Sequence, residues 1–207
     1  MAVPARSRFE ALFGPMGSLP PIILLHSLGE MDGGVRTLPG TGRTLVFGAD
    51  VIARLHLAHG AEPFVHHELF HVFHGNRFTA CDAVWCDLWS EGLAVYASEL
   101  LNPGASDAQL LLTEPTPLRA AVERNRKAAF AELLPLLEST SREDSGALFS
   151  NGKGDGALPP RVGYYLGYLV AREAGKTRTP QQLAAMGQDE VRPMVREIVK
   201  RLAAEGR

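Results

Sequence analysis

The chain has 207 residues, of which 45% are hydrophobic and 21% charged, with a formal net charge of −2 and 2 cysteines. A chain of this size can bury a core without cross-links. Its near neutrality gives no reason to expect nucleic acid or an anionic membrane as a partner, and no apolar run approaches the ~18 residues of a membrane span.

The start, Met1-Ala2-Val3-Pro4-Ala5-Arg6-Ser7-Arg8, lacks the apolar centre of a secretion signal. The cytoplasm is the expected location if Met1 is the native start, and export if a signal has been removed. Pro21–His26 reads as a buried strand, Gly29–Gly42 as glycine-rich turns around Val35-Arg36-Thr37-Leu38, and Arg43–Gly48 as a second strand. Ala49–His59 has helical apolar spacing through Val51, Ile52 and Leu55. Two helices rich in histidine and carboxylate positions follow. Leu118–Leu137 reads as one amphipathic surface helix, Ser139–Leu158 as a polar flexible loop, and Thr179–Met186 and Glu190–Ala204 as closing helices. The expected fold class is α+β, a single domain over residues 1–207. It has a small β-containing lobe at about 20–60 and a mostly helical part at about 61–207.

The chemistry concentrates in His67-Glu68-Leu69-Phe70-His71, an HExxH string. Residues four apart on a helix lie about 40° apart around its axis and one turn along it. His67 and His71 can then point two imidazoles at one ion. Glu62-Pro63 makes a plausible helix start and Gly75-Asn76 a stop. Val65, Leu69, Val72 and Phe73 form an apolar stripe offset from the histidines. A catalytic zinc takes three protein ligands and keeps one position open. Glu68, beside the first histidine, is placed to take a proton from the attacking water.

The third ligand expected is Glu91, in Trp89-Ser90-Glu91-Gly92-Leu93-Ala94 on a second apolar helix that ends at Asn102-Pro103-Gly104. A carboxylate among such neighbours needs a partner, and Gly92 beside it permits a close helix crossing. His74 shares a face with His67 and His71 but sits roughly 4.5 Å farther along the axis. It is expected to line the cleft or lie exposed. His66 reads as surface, and His26, His56 and His59 fall in no pattern. Cys81 and Cys86 point to different faces of any regular helix, so a bridge would need a loop; buried free thiols are expected.

HELFH followed at this distance by WSEGLA resembles the gluzincin branch of the zincin metallopeptidases. The similarity is greatest to bacterial predicted zinc-dependent proteases that carry an EGLA-type second helix and a later helix rich in glycine and tyrosine. It covers about Ile22 to Ala174, although only the two motifs are specific. The resemblance implies a zincin-like fold with the motif helix at a cleft, a zinc ion on His67, His71 and Glu91, Glu68 as catalytic base, and a peptide or protein substrate. In thermolysin-type enzymes an aspartate follows the ligand glutamate by four residues. Here that position is Val95, and Asp82 and Asp87 are the possible substitutes.

An oxyanion donor is expected from the helix opening near Pro160, where Tyr164 and Tyr168 share a face and Arg161 precedes Tyr164 by three. An Arg-x-x-Tyr arrangement after the ligand glutamate is similar to that of some gluzincins. Gly163 and Gly167 leave one side of this helix bare for close packing. The resemblance also makes Thr44–Phe47 the strand along which a substrate would pair, against the plainer reading of an interior strand. The 139–158 loop, by its order in the chain, is a possible lid. Three other readings remain open at this point: a zinc-binding module without catalysis, a structural or interaction protein in which the HExxH string is accidental, and a zinc hydrolase acting on a non-peptide amide.

Overall fold

The computed structural model describes residues 2–79, 81–152 and 158–205. Its elements run α1 (Ala2–Phe13), β1 (Ile22–Leu25), β2 (Gly33–Leu38), β3 (Gly42–Gly48), α2 (Ala49–Leu55), α3 (Glu62–His74), α4 (Val84–Leu101), α5 (Leu118–Glu123), α6 (Arg126–Leu133), α7 (Arg142–Phe149), α8 (Val162–Ala174), α9 (Pro180–Ala185) and α10 (Gln188–Ala204). The class is α+β, with a three-stranded sheet near the N-terminus. Among the described residues no helix is long and apolar enough to cross a membrane.

Helix α4 organises the rest. It is apolar on nearly every side and buries Trp85, Leu88, Trp89, Leu93, Val95 and Leu101. A helix without a polar face belongs in the middle of a core. Helices α1, α3, α7, α8 and α10 all pack on it. The closest partner is α8, and the reason is two glycines. A Cβ on Gly92 would run into the backbone of Gly167, and one on Gly167 into the carbonyl of Leu88. The bare face expected on α8 therefore meets the glycine beside Glu91. Gly163 is likewise filled, by the ring of Phe149.

Helix α1 was not legible as a helix in the sequence. Phe9 and Phe13 seat it on α3, with centroids 5.3 Å from Phe73 and 5.5 Å from Phe70 respectively. Helix α10 closes the far side with Val191, Val195, Ile198 and Leu202, one apolar stripe at helical spacing.

The sheet differs from expectation in three ways. Its order is β1-β3-β2, with β1 parallel and β2 antiparallel to β3. The expected substrate strand, Thr44–Phe47, is thus the interior strand, paired on both edges. The stretch read as turns contains β2, and β2 is the strand that lies against α3. Gly33 permits this, because a Cβ there would press on the rings of Phe64 and Phe47. Finally, β1 is not buried: Ile22, Leu24 and Leu25 are exposed on the outer edge of the sheet.

Other expectations are also corrected. Leu118–Leu137 is not one helix. The chain breaks at Asn125, whose side chain accepts from the Ala128 N–H and caps α6, so that both short helices can turn Leu118, Val122, Phe130 and Leu133 inward. The polar 139–158 stretch holds α7, capped by Ser141 and tied to α4 by a 2.6 Å hydrogen bond from Ser145 to Asp87; residues 153–157 of that stretch lie outside the described residues. Cys81 and Cys86 are not free thiols. Cys81 precedes α4 and Cys86 sits in its first turn, a loop-to-helix placement that brings their Cα atoms to 5.8 Å in a disulfide.

Neither flanking histidine is at the surface. His66 is fully buried, its Nε2 3.1 Å from the Ala5 carbonyl and its Nδ1 2.8 Å from Asn102 Nδ2. His74 is stacked between Phe70 and Phe78, and its Nε2 is buried without a partner among the described residues. Burial, with lesser repulsion from His71 and Arg77, pushes its pKa down to about 3. The unfolded chain therefore binds a proton that the folded chain refuses between the ordinary histidine pKa and that value. Stability from this group falls as pH drops through about 6.5, by up to about 1.4 kcal/mol per unit. A His74→Phe variant keeps the ring stack and removes the titration. Its stability advantage over wild type, read by urea unfolding, should grow by about 2 kcal/mol between pH 7 and pH 5. A constant difference over that range would rule out the buried neutral imidazole.

Candidate metal centre

Helix α3 begins where Pro63 occupies the first turn and its apolar stripe docks on α1 and α4. That docking turns the opposite face toward β2 and the N-terminus of α8. His67 and His71 stand on this face with their rings edge-on at 78° and 4.7 Å between centroids. Their Nε2 atoms are 3.0 Å apart. Glu91 reaches across from α4, its Oε2 lying 3.2 Å from His71 Nε2 and 3.3 Å from His67 Nε2. Two ligands at about 2.0–2.1 Å from a tetrahedral ion are about 3.3 Å from each other. The three atoms are thus spaced as the corners of one tetrahedral face, and His67, His71 and Glu91 can hold a metal ion.

Without an ion the same contacts read as hydrogen bonds, and the charges arrange accordingly. Burial opposes a charged His71, but Glu91 beside it outweighs that and lifts its pKa to about 9. Burial also opposes ionisation of Glu91, and the two imidazoles overcome it, holding its carboxyl far below the usual range. His74 takes no part in the cluster.

Glu68 lines the same cavity, of about 320 Å³, as the three ligand atoms. Its Oε2 is buried and has no hydrogen-bond partner among the described residues. Burial raises its pKa, with the two histidines pulling weakly the other way. A buried carboxyl facing a cavity beside this cluster, with one oxygen left unbonded, is able to exchange protons with whatever occupies the cavity.

Of the residues expected on α8, the structure brings two to this cavity and leaves one out. Tyr164 lies with its ring 6.4 Å from that of His67. Burial, then Glu91, pushes its phenol well above the ordinary tyrosine range, so it stays protonated and able to donate. Arg161 stacks its guanidinium 4.6 Å above the Tyr164 ring. Tyr168 is the correction. One turn farther along α8 its hydroxyl donates to Glu99, 2.9 and 3.0 Å from the two carboxylate oxygens, and its ring stacks on Tyr165. It is fully buried away from the ligand atoms, so sharing a helical face with Tyr164 did not place it in the site.

Asp82 and Asp87 do not serve the histidines. Asp87 accepts from Ser145, and both aspartates border a separate hollow beside α7. The residues missed in the sequence come from β2 and its approach: Asp32, Gly33, Gly34, Val35 and Arg36 line the cavity, as does Leu111. Asp32 is gripped by His56, Oδ2 to Nε2 at 3.1 Å, and His56 is stacked on Phe64 of the motif helix. Burial raises the Asp32 pKa but the His56 contact wins, leaving it lowered. The glycines hid this segment, because they read as turns. The αL backbone of Arg161 and Leu111, φ 63° and 62°, gives a signal only in the structure.

No family model matches the chain, and no curated protein or solved structure matches it either.

Proposed function

We propose that the protein is a zinc-dependent peptidase. The observation that carries this reading is the coincidence in one cavity of a three-cornered ligand set and a buried carboxyl, Glu68, whose Oε2 has no hydrogen-bond partner among the described residues. Two imidazoles, one carboxylate and an open side suit zinc better than calcium or magnesium, which prefer oxygen ligands. When bound, such an ion lowers the pKa of water and polarises a carbonyl.

The residues then divide the work. Glu68 accepts the proton as water's oxygen bonds to the carbonyl carbon. Tyr164 donates to the oxygen that gains charge. Glu68 returns the proton to the departing nitrogen as the C–N bond breaks. The peptide lies along β2 rather than β3, since β2 lines the cavity and its outer edge pairs with no strand among the described residues. The gluzincin resemblance of the two motifs supports the same assignment.

A zinc-binding module without catalysis is the weaker reading. Such a module has no use for an unpartnered buried carboxyl, which costs stability. The test is hydrolysis of an unfolded protein such as casein by zinc-loaded protein. We expect cleavage that a chelator abolishes and added zinc restores. The Glu91→Ala variant should bind at least about tenfold less tightly, as loss of one of three ligands removes well over 1.4 kcal/mol. Stoichiometric zinc with no cleavage of casein or a peptide library would refute the proposal.

A further inference from the structure

Two arginines line the metal cavity from separate walls, Arg36 on β2 and Arg161 at the start of α8. Neither forms a salt bridge among the described residues. Arg36 donates only to the neighbouring Val35 carbonyl, and Arg161 to the Glu114 carbonyl at 3.3 Å. Of the carboxylates in the lining, Asp32 is engaged by His56 and by the Gly33 N–H. Glu91 is engaged by the two histidines. Glu68, the third carboxylate of the lining, makes no ion pair with either arginine, so neither guanidinium has an ion-pair partner among the described residues.

Three further features point the same way. Arg161 is a non-glycine residue held at φ 63°, an uncommon conformation, and it lines the cavity. It also caps the N-terminal, positive end of α8, a helix of 13 residues, with no side-chain cap bond. The cavity, at about 320 Å³, lies at the small end of ligand pockets. In a cavity of that size both guanidiniums are within reach of a substrate held at the His67, His71 and Glu91 cluster.

We propose that Arg36 and Arg161 form a carboxylate clamp, and that the peptides cleaved at this centre carry a carboxylate next to the bond that is cut. This rests on the peptidase reading. Guanidinium is the side chain best matched to a carboxylate, with two parallel N–H donors. The carboxylate has two possible sources: the free C-terminus of the peptide, or an aspartate or glutamate side chain.

The test uses N-acetylated peptides in matched sets: free acid against C-terminal amide, and glutamate against glutamine beside the scissile bond. One charge-assisted pair predicts that the carboxylate form is cleaved with a kcat/KM about tenfold or more above its neutral counterpart. Preference in the first set identifies a C-terminal carboxylate, and in the second an acidic side chain. Arg36→Gln should bring the ratio close to one, with most of the loss in KM, and Arg36→Lys should recover part of it. Since the Arg36 side chain bonds only to adjacent backbone, these variants should keep their fold. Binding of the same peptides to the zinc-loaded Glu68→Gln protein, followed by calorimetry, should show the same order without turnover. Equal cleavage of charged and neutral peptides, or an unchanged ratio in Arg36→Gln, would overturn the clamp while leaving the peptidase reading intact. Binding of the charged peptides without any cleavage by wild type would instead keep the clamp and sink the peptidase reading.

Discussion

Replacing Glu68 by glutamine is expected to lower kcat/KM for peptide hydrolysis by roughly 10³-fold, within the range for loss of a positioned general base. The zinc content should not change, because the ligand atoms belong to His67, His71 and Glu91. Nor should the fold. Glutamine has the shape of glutamate, and Glu68 Oε2 makes no hydrogen bond that the change would break. The sign of the stability effect follows from the raised pKa of this carboxyl. A group whose folded pKa lies above its unfolded value is penalised for ionising on folding, and that penalty is present at pH 7. Metal-free Glu68→Gln should therefore be at least as stable as wild type at neutral pH. Loss of activity together with unchanged zinc and undiminished stability separates a proton carrier from a structural residue. Undiminished hydrolysis by a zinc-replete variant would remove Glu68 from the mechanism.

The ligand cluster was legible in the sequence because helical geometry alone orients it. Four residues of spacing fix His67 and His71 to one face, and an apolar helix around a lone carboxylate marks Glu91 as partnered. The glycines of α8 were legible for the same reason, since Gly163 and Gly167 share a face at that spacing. What the helix period cannot report is which neighbour a face meets. Tyr164 and Tyr168 have the same periodic claim on the site, yet Tyr168 finds Glu99. His66 and His74 looked like surface or cleft residues. Their burial depends on α1 and on Phe78, which fold back over α3 from distant and loop positions. Strand β2 was hidden because two glycines carry no alternation of polarity, although their lack of side chains is what lets the strand rest on Phe64. The cavity walls, and with them Arg36 and Asp32, were therefore beyond reach of local pattern.

The second large effect expected lies at the crossing that brings α4 and α8 together. Gly92→Ala adds one methyl group in the middle of a helix, a change that by propensity alone favours the fold by about 1 kcal/mol. Here the added Cβ meets the backbone of Gly167, which cannot rotate aside as a side-chain tip can. The two helices must part, and both are core helices, with Leu88 and Leu93 of α4 and Leu166 and Val170 of α8 all buried. Overpacking of this kind costs 1–3 kcal/mol and occasionally more, and a backbone collision belongs at the upper end. The net loss expected is about 2 kcal/mol, or roughly 4–8 °C in Tm for a chain of this size. The same displacement moves Glu91, the adjacent residue, away from the histidines, so zinc affinity should fall as well. Gly146→Ala supplies the contrast: it lies inside α7, and its Cβ would find only Ser150 Oγ at 3.9 Å. There the propensity gain of about 0.5–1 kcal/mol should appear unopposed. A Gly92→Ala protein as stable as wild type and equally tight for zinc would show that α4 and α8 are farther apart than this packing requires.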